Sequence, residues 1–219
     1  VKDDRMKKLM SNVTPRRFEA MLMGIVLLSL GVSVFKISLM GNDPYSAFAM
    51  AVGERTRWGF ALTLFILNCV CFMLELAFGR RLIGIGTLAN WFGVGVLSSG
   101  FTRLLSLLPV YPETLPARLG VMLIGVAVFG VACSLYQTAD VGIAPYDALS
   151  LMLAERLACV PYFWCRMFTD TLCAFVAWRL GGIVGLGTLV SAVGLGPVIS
   201  FFDIHISRRF CGLDEKNSN

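Results

Sequence analysis

Two charged residues lie one helical turn apart inside an apolar run: Arg166 and Asp170, in Tyr162-Phe163-Trp164-Cys165-Arg166-Met167-Phe168-Thr169-Asp170. On a helix the i, i+4 spacing puts both on one face, where they can pair. A charge at mid-span costs ~2.5–3.5 kcal/mol on insertion scales, so such residues face a protein interior and often mark a substrate or proton pathway. The plainer reading is an intrahelical pair that only stabilises a bundle. A further carboxylate, Asp147, stands in Gly142-Ile143-Ala144-Pro145-Tyr146-Asp147. Glycine suits the residue just past a helix end, and proline suits the first turn of the next helix. Gly142 and Pro145 therefore end one helix and open another, whose N-terminus presents unpaired N–H groups and partial positive charge. Within a bilayer such a break survives only where protein or a watery cavity shields it, and paired breaks point to a transporter's binding site.

The break has a twin, Gly41-Asn42-Asp43-Pro44-Tyr45-Ser46, 101 residues earlier. Shifted by 101, the chain overlays itself without a gap from Leu22 to Arg103, with 17 identities in 82 positions. They cluster at turns: Gly41, Pro44, Tyr45, Glu54 and Arg55 recur as Gly142, Pro145, Tyr146, Glu155 and Arg156. Chance likeness between apolar runs would not hold Gly, Pro, Glu and Arg in register, so a duplicated unit is implied. Its halves differ where chemistry is expected: Phe65 and Cys69 stand opposite Arg166 and Asp170, with Asn68 matching Thr169, and Ser46 stands opposite Asp147.

The elements that position these residues follow from the hydropathy pattern. Of 219 residues 57% are hydrophobic and 15% charged, with mean hydropathy +0.75. That is too few charges to cover a water-facing surface, which makes a polytopic membrane protein the expectation. Six runs have spanning length, roughly 18–39, 59–78, 83–104, 118–139, 160–179 and 183–204, while 45–53 and 146–154 reach only half a hydrocarbon core. The expected fold is all-α, with six transmembrane helices as two inverted three-helix repeats, each holding a broken or re-entrant half-helix. The segments are 1–17, a cytoplasmic N-terminal stretch; 18–105, the first repeat; 106–117, a proline-rich linker with Pro109, Pro112 and Pro116; 118–205, the second repeat; and 206–219, a cytoplasmic tail. With both termini inside, twelve basic residues fall on the cytoplasmic side, Arg80, Arg81, Arg208 and Arg209 among them, and five outside, in line with the positive-inside bias. The net charge of +5 thus reads as topology control, with no zinc finger, basic helix or other nucleic-acid module present.

The remaining polar residues carry less. Gly84-Ile85-Gly86-Thr87 and Gly185-Leu186-Gly187-Thr188 lack the strand and the Gly-Lys-Ser/Thr of a phosphate loop, so they read as close-packing positions at the start of a span. Gly194-Leu195-Gly196-Pro197 is expected to kink the last span. Lys36 and Glu75 lie near span ends and read as topological. Gln137, opposite Lys36, and Asp140 are placed in a cytoplasmic-side vestibule, and Asn90 and Asp203 at helix–helix contacts. The odd set of seven cysteines without C-x-x-C reads as packing residues, and the lone His205 as structural or interfacial, so no metal or cofactor is expected. No hydrolase triad, H-E-x-x-H or P-loop occurs, and an enzyme is not the expectation.

In its Pro145-Tyr146-Asp147, Arg166/Asp170 and Gly185–Thr188 features the chain resembles the bacterial YczE/YyaS-type integral membrane proteins, themselves similar in outline to YitT-type proteins, over residues 18 to 205. The resemblance implies a multi-pass protein of the bacterial inner membrane and says little of a substrate. From the residues themselves, the expected function is a small secondary transporter for an anionic or zwitterionic molecule. Tyr45, Asn68, Gln137, Pro145, Tyr146, Asp147, Arg166 and Asp170 are the substrate contacts, and Arg166 is the fixed positive charge. Gly41, Pro44, Gly142 and Pro145 shape the helix breaks. The expected partners are the lipid bilayer, an unidentified small molecule and a second copy of the chain. The alternative is a membrane scaffold or regulatory partner without transport, in which the Arg166/Asp170 pair is structural.

Overall fold

A computed structural model describes residues 14–107, 112–157, 159–182 and 184–213. Most of the N-terminal stretch, Pro109 of the linker and the tail beyond Leu213 lie outside the described residues. Within them the chain forms eight helices: α1 Pro15–Ile37, α2 Pro44–Thr56, α3 Phe60–Phe78, α4 Ile85–Ser106, α5 Leu115–Ala139, α6 Pro145–Arg156, α7 Tyr162–Arg179 and α8 Leu186–Phe202. The last runs on through a π-helical turn, Asp203–Ser207, into Arg208–Phe210. Pro197 lies in the interior of α8, six residues before this wider turn. By length and composition three helical stretches can cross a membrane, Pro15–Ile37, Leu115–Thr138 and Leu186–Phe210, and Leu62–Phe78 is apolar but shorter. Outward faces carry large apolar side chains such as Phe65, Met73 and Val96.

Local chemistry sets the helix ends. Thr14 caps α1, its Oγ1 accepting from Arg17 N, and Pro15 fills the first turn. Asp43 does the same for α2 through Ser46 N, ahead of Pro44. Pro145 opens α6 without a side-chain cap. Before each break the chain reverses at a glycine with positive φ, Gly41 at 120° and Gly142 at 125°, a conformation that side chains with a Cβ rarely adopt.

The 101-residue offset carries one set of contacts onto another. Gly24 of α1 meets Tyr136 of α5, and Gly125 of α5 meets Phe35 of α1. Gly31 against Phe129 fills the middle, so α1 and α5 run antiparallel at close approach. Gly187 N donates to Met40 O (2.8 Å), and its counterpart Gly86 N donates to Val141 O (3.1 Å). Each break loop is thus fastened to the Gly-x-Gly-Thr turn of the other half. Thr188 Oγ1 adds a bond to Asn42 O (2.7 Å). A Cβ on Gly142 would come within 2.7 Å of the Gly84 backbone, and one on Gly41 within 2.7 Å of Thr188 Oγ1. Of the expected packing positions, Gly84 and Gly86 approach the Val141–Gly142 backbone, Gly185 and Gly187 approach Met40, and Thr188 bonds Asn42.

The half-helices exchange partners as well: α2 packs on α7 and α6 on α3, besides their own neighbours. Both bury a face, Pro44, Ala47 and Ala51 in α2 and Pro145, Tyr146, Ala148 and Met152 in α6. They sit inside the bundle and do not lie flat on its surface.

Candidate functional site

The first turns of α2 and α6 meet at the centre of the molecule. Tyr45 and Tyr146, each the second residue of its half-helix, stack with centroids 4.1 Å apart and planes 13° from parallel. Because the two are equivalent under the internal repeat, their contact marks its axis. Tyr146 Oη donates to Asp170 Oδ1 at 2.5 Å. Arg166 Nε donates to Asp170 Oδ2 (3.0 Å), and Arg166 Nη1 pairs with Asp147 Oδ1. The guanidinium also lies over the Tyr146 ring, 5.1 Å from its centroid. Arg166, Asp170 and Asp147 are only 2%, 1% and 6% exposed. On the other side of the stack, Tyr45 Oη donates to Asn68 Oδ1 (2.9 Å).

These groups share one wall of a cavity of about 520 Å³, within the usual size of a small-molecule site. Tyr45, Asn68, Pro145, Tyr146, Asp147, Arg166 and Asp170 all line it, so seven of the eight expected contacts converge. Gln137 does not join them. It lines a second cavity of about 850 Å³ with Asp140, Arg81, Arg208 and Tyr162. Its Oε1 accepts from Tyr162 Oη at 3.0 Å. Gln137 and Asp140 thus share a cavity separate from the charged set.

The two cavities are counterparts. Lys36, Met50, Phe60 and Ser99 line the first, and the residues 101 positions later, Gln137, Leu151, Pro161 and Ser200, line the second. Since α1 and α5 are antiparallel, Lys36 and Gln137 sit at opposite ends of the pair. Only the first cavity reaches Arg166.

Several sequence readings need correction. Lys36 is a cavity residue as well as a span-end charge. Glu75 does not reach a surface: it is 0% exposed, and neither carboxylate oxygen has a partner among the described residues. Asn90 lines the first cavity, its Nδ2 without a partner among the described residues. Asp203 does tie helices, accepting from Thr138 Oγ1 (2.7 Å) and from Arg208 Nε (3.0 Å). Trp91, which bridges Phe65 and Phe72 of α3 and lines the cavity, carried no signal beyond its apolarity.

A model for a family of unknown function (DUF6198) matches residues 15–204. The chain belongs to that family. An uncharacterized protein of Haemophilus influenzae is 26% identical over 182 residues, 83% of this chain and 81% of its own length. The uncharacterized membrane protein YczE of Bacillus subtilis is 29% identical over 184 residues, 81% of each chain. The uncharacterized protein YyaS of the same organism is 22% identical over 193 residues, 85% of this chain and 92% of its own. The YczE/YyaS-type resemblance is thereby borne out over most of the chain. No solved structure matches it.

Proposed function

We propose that this DUF6198 member, whose relative YczE is described as a membrane protein, crosses the membrane several times and carries a small polar molecule across the bilayer. In this reading α1, α3, α4, α5, α7 and α8 span the membrane. The two halves are inverted repeats and both termini are cytoplasmic. The observation that supports transport most directly is the pairing of one buried charged set with two equivalent cavities at opposite ends of the α1/α5 pair, of which one reaches it. Burying Arg166 with two carboxylates is costly unless their position serves something. A bundle with only a scaffolding role needs neither the charges nor the cavities. The first cavity faces outward and the second inward. The hydrogen-bonded Tyr162 and Gln137 stand in the wall of the second cavity, and carriage requires that wall to open while the first closes.

The test is sided labelling with a membrane-impermeant maleimide, in a background where exposed Cys159 is replaced by serine. Ser99→Cys should react in intact cells and Ser200→Cys only after permeabilisation. Reaction of both from the same side would sink the two-sided reading.

A further inference from the structure

The first cavity lies at the positive ends of two half-helices, which by itself would suit an anion. Each end already faces a carboxylate. Asp43 Oδ2 accepts from Ser46 N at the start of α2, and Asp147, which makes no cap bond, stands in the first turn of α6. Arg166 is committed too, through Nε to Asp170 and through Nη1 to Asp147. Among the charged side chains on the cavity wall, Lys36 and Arg166 face Asp43, Asp147 and Asp170. Carboxylates outnumber cations there. An anion entering this space meets two buried carboxylates beside the one buried guanidinium, and like charges at low dielectric repel strongly.

Two other features of the wall favour a positive group. Tyr45, Tyr146, Trp91 and Phe60 line the same space, and aromatic faces attract cations, ammonium ligands among them. The Arg166 guanidinium over the Tyr146 ring shows one such contact already made within the protein. Asp147 meets Arg166 through Oδ1 and is itself part of the wall, so its carboxylate is within reach of a second cation. Asn90 then supplies what a positive group alone would not use. It is 6% exposed, its Nδ2 has no partner among the described residues, and it lines the cavity. Leaving a buried amide donor unpaired is unfavourable, and an acceptor atom on a ligand would remove that penalty.

We infer that the cavity takes a small organic molecule bearing a positively charged ammonium group, a cation or a zwitterion, held by Asp147 and the Tyr45 ring, with an acceptor atom on Asn90. This rests on reading the cavity as a ligand site, and of the anionic-or-zwitterionic expectation it keeps the zwitterion and puts a cation in place of the anion.

The experiment uses the full chain in lipid nanodiscs, with tryptophan fluorescence as readout and Trp91→Phe as the assignment control. The probes are choline, glycine betaine, acetate and inorganic phosphate. Choline and betaine should give saturable changes that Trp91→Phe removes, and acetate and phosphate none. Asp147→Asn should weaken choline about tenfold, the scale of one lost charge or cation–ring contact. Asn90→Ala should weaken both ammonium probes. Should Asp147→Asn fail to fold, Tyr45→Leu against Tyr45→Phe replaces it, and loss of choline binding should be larger in the leucine variant. Preference for acetate or phosphate, no response to either ammonium probe, or choline binding indifferent to these substitutions overturns the inference. Because no gradient is applied, binding without uptake in proteoliposomes would count against transport alone.

Discussion

Asp170 accepts hydrogen bonds from Tyr146 Oη on one oxygen and from Arg166 Nε on the other. One carboxylate thereby joins a half-helix of the second repeat to the helix it packs on, next to the stacked tyrosines that mark the internal axis.

Removing the Tyr146 hydroxyl strands one oxygen of a buried carboxylate. Tyr146→Phe should lower stability by about 1–3 kcal/mol, as expected for a bond to a charged group. Tyr45→Phe, whose hydroxyl meets the neutral Asn68, should cost about 1 kcal/mol. Unfolding of the two variants in detergent micelles reads the difference, and equal losses would refute the ranking.

Arg166→Met leaves Asp147 and Asp170 buried without their cation, and should destabilise the protein by about 3–5 kcal/mol. Converting all three together, Arg166→Met with Asp147→Asn and Asp170→Asn, should recover most of that loss while abolishing ligand binding. A triple variant as unstable as the single one would show that the charges do more for folding than satisfy one another.

Gly142→Ala demands a positive φ of an alanine and drives its Cβ against the Gly84 backbone. A loss of at least about 2 kcal/mol is expected, and the same for Gly41→Ala. Gly120, inside α5 with open space at its Cβ position, is the control: alanine there should be neutral or stabilising by up to about 1 kcal/mol. Melting temperatures separate these cases.

Glu75 spends stability on a carboxyl with no partner among the described residues. Glu75→Leu should therefore raise the melting temperature, by an amount corresponding to about 1–3 kcal/mol. If the leucine variant instead melts lower, the carboxyl has a use that its surroundings do not reveal.

Much of this architecture was readable because membrane helices leave plain marks. The 101-residue repeat survives in residues whose roles are steric, Gly41, Pro44, Gly84 and Thr87 and their counterparts, since backbone approach tolerates few alternatives. The charged set was readable because Arg166, Asp170 and Asp147 are expensive to insert. What escaped was whatever depends on rotation about a helix axis. Nothing in the sequence says that Asn90 faces a cavity while Glu75 faces packed protein, or that Lys36 lines the site. Helix phase comes from packing between halves, and α1, α3 and α4, which carry Lys36, Glu75 and Asn90, are too uniformly apolar to reveal it. Gln137 stands apart from the other seven expected contacts because it shares the register of Lys36, and the repeat sends that register to the other end of the bundle.

The cross-fastening of the break loops has a consequence for biogenesis. The second loop finds its clasp already made, because Gly84 and Gly86 leave the ribosome before Val141. The first loop does not: Asn42 waits for Thr188, 146 residues later. Until α8 is made, the first half therefore holds an unfastened kink, and on the proposed membrane reading a chain truncated before α8 should keep that kink open.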